Sequence, residues 1–244
     1  MTGFEAVAGR YTVIAYDRRG LSRSPVDDPS PPPGIRTHGD DASRLLTALT
    51  DKPAFVFGSS LGALIGLDLI TAHPQQVRLL VAHEAACAAL LGEPERGQFL
   101  AMQHDVEDTF TREGLLPAMR KLFTIAAGYG GDPEPETARP QLTSEQAAQH
   151  TANMQFFLTH DAPAAHRYQP DLAALTATAA SIIPAAGMLS RGSSPYRCAQ
   201  ALAGHLGRPL TEFPGNHSGY ALRPRAFAET LHRALAQDTA PRSG

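Results

Sequence analysis

The stretch FVFGSSLGALIG, residues 55–66, runs from an apolar segment through a glycine-flanked corner into a second apolar segment. The first segment is typical of a buried strand, and the second is typical of a buried helix. Gly58 and Gly62 each lie two residues from Ser60. Because glycine has no Cβ, this spacing lets the backbone turn sharply and project a strained serine. The stretch therefore predicts a G-x-S-x-G corner with the hydroxyl of Ser60 at its apex.

Ser59 does not meet the same requirement, because Phe57 and Leu61 occupy the positions where it would need glycines. A glycine-rich turn without any chemistry is the alternative interpretation of the motif. The strand pattern before it and the helix pattern after it favour a nucleophilic serine.

The rest of the chain alternates between strand and helix patterns. Asp40 and Asp41 are predicted to lie at a helix N-terminus, where carboxylates are favourable. Such alternation indicates an α/β fold with a mostly parallel sheet covered by helices on both faces. Besides the strand before Ser60, strands are predicted at residues 11–16, 77–83, 180–187 and 209–213.

The alternation stops between residues 88 and 171, where the pattern is helical with a loop at 128–136. The clearest helix begins at Thr143, whose spacing to Gln146 fits a capping box. We interpret residues 88–171 as a helical lid inserted into a core formed by residues 1–87 and 172–244. Aromatic residues of this helix could line an acyl pocket, but at helical spacing they more often fill a core.

The composition excludes several classes of function. A formal net charge of −3 lacks the basic surplus that nucleic acid or an anionic membrane would attract, and no apolar run is long enough to span a membrane. The start of the chain does not resemble a signal peptide, so we expect a cytoplasmic protein. Cys87 and Cys198 are expected to be free, buried thiols. The scarcity of lysine, which occurs twice, suggests a GC-rich bacterial source.

Three segments together resemble the α/β-hydrolase family. They are the turn at residues 16–24, YDRRGLSRS, the corner at Ser60, and the loop FPGNHSGY at residues 213–220. The resemblance implies that Ser60 is the nucleophile and that His217, after the last strand, is the general base. It also implies that the backbone N–H of Leu61 stabilises the oxyanion.

The carboxylate that should orient His217 is less obvious. The family usually carries it after the seventh strand, where this chain reads GMLSRG at residues 187–192. A minority of the family carries it after the sixth strand, and Glu84 is the residue there. A carboxylate that merely caps local amides is an equal alternative for Glu84, and Ser190 could be a weak substitute. The segment HEAAC that contains Glu84 is not a zinc motif, because its fifth residue is cysteine and it leaves a strand. No metal and no cofactor are expected.

The chain departs from the family at its beginning. The first three family strands and the loop that supplies a second oxyanion donor would lie upstream of Met1, which suggests a shortened coding sequence. The third strand normally separates the strand at residues 11–16 from the one before Ser60. We therefore expect residues 11–16 either to slide against Phe55 or to leave backbone groups unpaired.

These observations predict a serine hydrolase that cleaves a small ester, thioester or lactone through an acyl-enzyme on Ser60. A non-catalytic, ligand-binding relative is the alternative that the early departure suggests. A lyase or cyclase could also reuse the same residues, because fold does not determine reaction. The expected partner is a small-molecule substrate, and a homodimer is left open.

Overall fold

A computed structural model describes residues 7–27, 32–127 and 141–236 of the chain. Its centre is a sheet of four parallel strands in the order β1-β2-β3-β4. The strands are β1 (Ala54–Ser59), β2 (Val77–His83), β3 (Ile182–Gly187) and β4 (Thr211–Phe213). The carboxyl ends of all four strands therefore lie at one edge of the sheet.

Helices precede, connect and follow these strands. Within the described residues none of them has the length and hydropathy of a membrane span. They are α1 (Ile35–Leu49), α2 (Leu61–Ala72), α3 (Glu95–Glu113), α4 (Leu115–Ala127), α5 (Ser144–Phe156), α6 (Ala162–Arg167), α7 (Leu172–Ala177), α8 (Ser194–Leu206), α9 (Gly219–Leu222) and α10 (Pro224–Ala236).

The sheet is covered on both faces, as the alternating pattern predicts. Along β2, Leu80 belongs to a core shared with α1, α2, α7 and α8. Its neighbours Leu79 and Val81 belong to a second core shared with α10. Successive side chains of a strand point to opposite faces, so one apolar strand contributes to both cores. The α/β architecture with a parallel sheet flanked by helices is confirmed.

The strand predicted at residues 11–16 is wrong. This segment carries no strand pairing, and Val13, Ile14 and Tyr16 are among the exposed large apolar residues. The edge strand β1 pairs with β2 and with no other described strand. An apolar, β-branched segment becomes a strand only where its amides and carbonyls meet a ladder partner, and here the segment does not slide into register with β1. The ring of Tyr11 nevertheless packs edge-on against Phe55.

The start of α1 also differs from the prediction. The helix begins at Ile35, so Asp40 and Asp41 lie in its second turn instead of at its N-terminus. Asp41 has a tertiary role, since its two carboxylate oxygens accept hydrogen bonds of 2.9 and 2.7 Å from Arg19. A carboxylate near a helix start is therefore ambiguous in sequence, because ion pairing favours it as well as capping does.

Helices α3 to α7 lie between β2 and β3, and α3 to α6 fall in the region where the alternation stops. The capping box at the start of α5 is confirmed, since Thr143 and Gln146 exchange side-chain-to-backbone hydrogen bonds. The chain then continues through a π-helical turn, Phe157–Asp161, in which Leu158 is buried in a core with α3 and α4. The predicted loop at 128–136 lies outside the described residues.

Side-chain contacts attach α5 and the π-helical turn to the segment that follows residues 11–16. Asp161, fully buried, accepts a 2.7 Å hydrogen bond from Arg18 and lies 3.2 Å from Nε2 of buried His38. Asn153 accepts a hydrogen bond from the backbone N–H of Ser22 and donates one to the Ser22 hydroxyl. This attachment was not evident from the sequence, because its partners are more than 120 residues apart.

Replacing Arg18 by alanine should lower the free energy of unfolding by about 3 kcal/mol, because it removes a cationic partner from a fully buried carboxylate. Arg23→Ala is the matched control in the same turn. Arg23 also binds an aspartate, Asp17, but its side chain is 87% exposed, so we expect no change. Urea denaturation of both variants measures the difference, and equal midpoints would show that the buried pair does not stabilise the fold.

Candidate active site

Ser60 occupies the corner between β1 and α2. Its backbone has φ 55° and ψ −119°, a conformation that residues with a Cβ rarely adopt. The described residues contain three non-glycine positions with positive φ, namely Ser22, Ser60 and Glu84. Strain of this kind persists where surrounding structure enforces it, and it clusters at functional sites.

The two glycines of the motif have different roles. A Cβ on Gly58 would lie 2.2 Å from the carbonyl oxygen of Gly62, so glycine is required there. A Cβ on Gly62 would meet no atom within 4 Å. Gly58 thus avoids a Cβ clash, as the motif predicts. For Gly62 this prediction is wrong, because Gly62 contributes only its backbone to the close approach.

We expect Gly58→Ala to destabilise the protein by about 3 kcal/mol, because backbone atoms must move to admit the methyl group. Gly62→Ala, within α2, should be neutral or stabilising by about 0.5–1 kcal/mol, since alanine favours helix over glycine. Thermal unfolding of both variants compares them. Similar losses of stability would mean that the corner tolerates no side chain at either position.

Glu84 follows directly after β2 and is completely buried. Its φ of 46° lies in the left-handed region, and its N–H donates a 2.8 Å hydrogen bond to the carbonyl of Ala185 in β3. The strained backbone is thus fixed to the neighbouring strand at the carboxyl edge of the sheet.

His217 lies in the loop between β4 and α9, and the structure brings it to Glu84. Its Nδ1–H donates to Glu84 Oε2 over 2.6 Å, and the backbone N–H of Gly187 donates to Glu84 Oε1 over 2.8 Å. Gly187 has close neighbours, because a Cβ there would lie 2.7 Å from backbone atoms of the His217 loop. Both carboxylate oxygens are therefore satisfied, and Nε2 of His217 is left for another partner.

The environment of Glu84 favours its charged form. Burial alone would raise the pKa of this carboxyl, but the hydrogen bond from His217, the nearby imidazoles of His217 and His83, and the Gly187 N–H together hold the pKa below its usual value. Glu84 is therefore a carboxylate at neutral pH, which is the form that accepts both hydrogen bonds.

Ser60 and His217 are both held at the end of β2. The backbone N–H of Ser60 donates a 2.9 Å hydrogen bond to the carbonyl of His83, and the next residue, Glu84, binds His217. The rings of His83 and His217 have centroids 6.5 Å apart. Ser60 and His217 are therefore on the same edge of the sheet.

Leu61 is the first residue of α2, where a backbone N–H has no acceptor within the helix. Ser190 does not replace the carboxylate, because its buried hydroxyl has no hydrogen-bond partner among the described residues. His83 and Ser59, which hydrogen-bond to each other, also lie at this edge. Sequence reasoning considered His83 for zinc alone, and the described residues contain no group of three or more ligands suited to a metal.

A cavity of about 710 Å³ lies elsewhere, between α1 and residues 15–26. Its walls include Arg19 and Asp41 but none of Ser60, Glu84 and His217. Because Arg19 pairs with Asp41 and Arg23 with Asp17, the charges around it are largely compensated. We therefore place the candidate active site at the carboxyl edge of the sheet, with Ser60, Glu84 and His217, and not in this cavity.

Comparison with known proteins gives consistent matches. The family model described as the alpha/beta hydrolase family matches residues 3–230. A Bacillus subtilis (strain 168) protein named uncharacterized hydrolase YraK is 38% identical over 236 residues, which cover 95% of this chain and 82% of the relative.

Solved structures show the same fold at lower identity. Est816, described as an N-acyl homoserine lactone degrading enzyme, matches with a TM-score of 0.65 and 23% identity, over 89% of this chain and 80% of its own. An esterase from Exiguobacterium antarcticum matches with a TM-score of 0.67 and 18% identity, over 96% of this chain and 86% of its own.

Proposed function

Since this chain belongs to the alpha/beta hydrolase family and is a hydrolase, we propose that it cleaves a small ester, thioester or lactone through an acyl-enzyme on Ser60. Relatives named as hydrolases support an enzyme over a non-catalytic relative. The esterase and lactone-degrading activities named for two neighbours motivate the substrate class.

One observation carries the proposal. A buried carboxylate, Glu84, accepts the Nδ1–H of His217, and the same strand end holds the backbone of Ser60 in a strained conformation. A carboxylate bound to one imidazole nitrogen leaves the other nitrogen as a proton acceptor. In this assignment Glu84 orients the base, His217 is the base and Ser60 is the nucleophile.

The reaction has two steps, the acylation of Ser60 and the hydrolysis of the acyl-enzyme. Ser60 Oγ forms a bond to the acyl carbon while Nε2 of His217 takes the hydroxyl proton. The bond from the acyl carbon to the leaving oxygen or sulfur then breaks, and His217 returns the proton to that atom. Water attacks the acyl-enzyme in the same way, which releases the acid and regenerates Ser60. Glu84 stays ionised and stabilises the imidazolium that forms in each step.

The first turn of α2 supplies electrostatic support. The N–H of Leu61 points out of the start of the helix, and the helix dipole adds partial positive charge there. We assign Leu61 as a donor to the oxyanion of the tetrahedral intermediate. This assignment uses the backbone, so the leucine side chain is free to pack in the core, where it is buried.

We further propose that residues 88–171 form a lid over this edge, with residues 1–87 and 172–244 as the catalytic core. The contacts of Asp161 and Asn153 with residues 18–22 support a lid that is attached to the core. Phe156, the last residue of α5, contributes to this attachment, since its ring covers Gly20.

Turnover and product analysis test the proposed function. Short-chain p-nitrophenyl esters, a thioester and aliphatic lactones should each be assayed for release of the free acid. Expected products are the acid and the alcohol or thiol from an ester or thioester, and the hydroxy acid from a lactone, whereas a lyase or cyclase would give products without net addition of water. An absence of turnover together with an absence of reaction with a fluorophosphonate would refute the proposal.

A further inference from the structure

His83 is a buried imidazole that the proposed mechanism does not use. It is the last residue of β2 and is fully inaccessible to solvent. Its Nδ1 lies 2.9 Å from the hydroxyl of Ser59, and its Nε2 has no hydrogen-bond partner among the described residues. Leaving a buried polar atom unpaired costs about 1–3 kcal/mol, so an apolar residue would satisfy packing alone at lower cost. The single hydrogen bond that the ring does make therefore requires an explanation.

That hydrogen bond reaches the strained corner. Ser59 immediately precedes Ser60, and the backbone N–H of Ser60 binds the carbonyl of the same His83. One residue of β2 thus holds two consecutive residues of the corner, one through a side chain and one through the backbone. The rings of Phe213 and Phe227 pack on the imidazole, with centroids 5.9 and 5.4 Å away, and keep it in place.

His83 also connects the two halves of the candidate site. It binds the corner that presents Ser60, and it precedes Glu84, which binds His217. A displacement of the end of β2 would move the nucleophile and the base together. A displacement of the corner relative to β2 would move one without the other, and a misplacement of about 1 Å can cost about 10²-fold in rate.

We propose that His83 is a positioning residue, which uses its hydrogen bond to Ser59 to hold the strained corner in register with the Glu84–His217 pair. This inference rests on the proposed function. In this inference the side chain of Ser59, which is not the nucleophile, forms the hydrogen bond that holds Ser60 in place.

The protonation state of His83 is compatible with this role. Burial lowers the pKa of the imidazole to about 4, against an opposing effect of the Glu84 charge and with a smaller contribution from His217. The ring is therefore neutral at neutral pH. A neutral ring can form its hydrogen bond with the Ser59 hydroxyl without placing a buried charge beside the strained corner.

Three variants separate positioning from packing. Ser59→Ala removes the hydroxyl partner, and His83→Leu removes the imidazole partner but fills its site with an apolar side chain. His83→Asn places an amide group near the position of Nδ1 and can keep the hydrogen bond. The readouts are kcat and KM for a p-nitrophenyl ester, the rate of reaction of Ser60 with a fluorophosphonate, and the thermal midpoint of the full-length chain.

Positioning predicts that kcat and the labelling rate fall about tenfold in Ser59→Ala and about 30-fold or more in His83→Leu, with KM changed less than threefold. His83→Asn should retain most of the wild-type rate. The double variant Ser59→Ala with His83→Leu should be no slower than His83→Leu within about twofold, because both changes break the same contact.

A purely structural role would lower the thermal midpoint and leave the labelling rate of the folded protein unchanged, which would overturn the inference. A loss of rate in His83→Asn as large as that in His83→Leu would also overturn it. These outcomes require that the wild-type chain be labelled at Ser60. If it is not, the proposed function itself has failed, so the two failures are distinguishable.

Discussion

Replacing Ser60 by alanine should abolish ester hydrolysis, with a fall in kcat of about 10⁴- to 10⁶-fold and no labelling by a fluorophosphonate. The reason is that the acyl-enzyme cannot form without the hydroxyl, and residual turnover must rely on water and the electrostatic contribution of the first turn of α2. His217→Ala should have a similar effect, since the nucleophile and its base act as a unit. Initial rates and mass spectrometry of the labelled peptide measure both effects.

Ser190→Ala is the matched control for this experiment. Ser190 is buried, lies at the position where the family usually carries its acid, and has a hydroxyl without a described hydrogen-bond partner. Its removal should leave kcat within about twofold of the wild-type value. Labelling of the Ser60→Ala protein at another serine with unchanged turnover would contradict the assignment of the nucleophile.

Replacing Glu84 by glutamine should lower kcat by about 10³- to 10⁴-fold with little change in KM. The substitution keeps the size of the side chain, but an amide that donates a hydrogen bond to Nδ1 favours the tautomer in which Nε2 carries the hydrogen. His217 would then be unable to accept the proton of Ser60. The uncharged amide would also no longer stabilise the imidazolium. Steady-state kinetics together with circular dichroism measure the activity of the folded variant.

Glu212→Gln provides the comparison for Glu84. Glu212 is also a carboxylate on a strand of the sheet, in the middle of β4, but it pairs with Arg191 and Tyr196. Its replacement should leave kcat unchanged. If both glutamine variants were equally active, the hydrogen bond between Glu84 and His217 would have no role in orienting the base.

The sequence predicted the elements whose signals are local. The corner at Ser60 follows from two glycines between a strand pattern and a helix pattern. The strand Val77–His83 was predicted with its observed bounds, and the capping box at Thr143 depends on residues three positions apart. In each case the sequence signal lies within a few neighbouring residues, so the pattern is visible in the chain itself.

Two of the wrong predictions concern segments whose structure depends on a distant partner. Residues 11–16 have the composition of a strand, but they form no ladder of hydrogen bonds with any described strand of the sheet. Strand propensity alone cannot replace such a partner. Asp41 was interpreted as a helix-start residue, whereas its carboxylate binds Arg19. Both errors arise because composition indicates what a segment favours and not which partner the fold brings to it.

The chain by itself determined the class of fold and the two residues expected to share a proton, Ser60 and His217. Tertiary structure decided what surrounds them. In sequence Glu84 and Ser190 were both candidates to assist His217, and the fold brings the carboxylate of Glu84 within 2.6 Å of an imidazole 133 positions away. It also places His83 between the corner and that pair. Such contacts depend on which strands lie side by side. Packing on both faces of the sheet decides the order of parallel strands, and no local sequence pattern specifies that order.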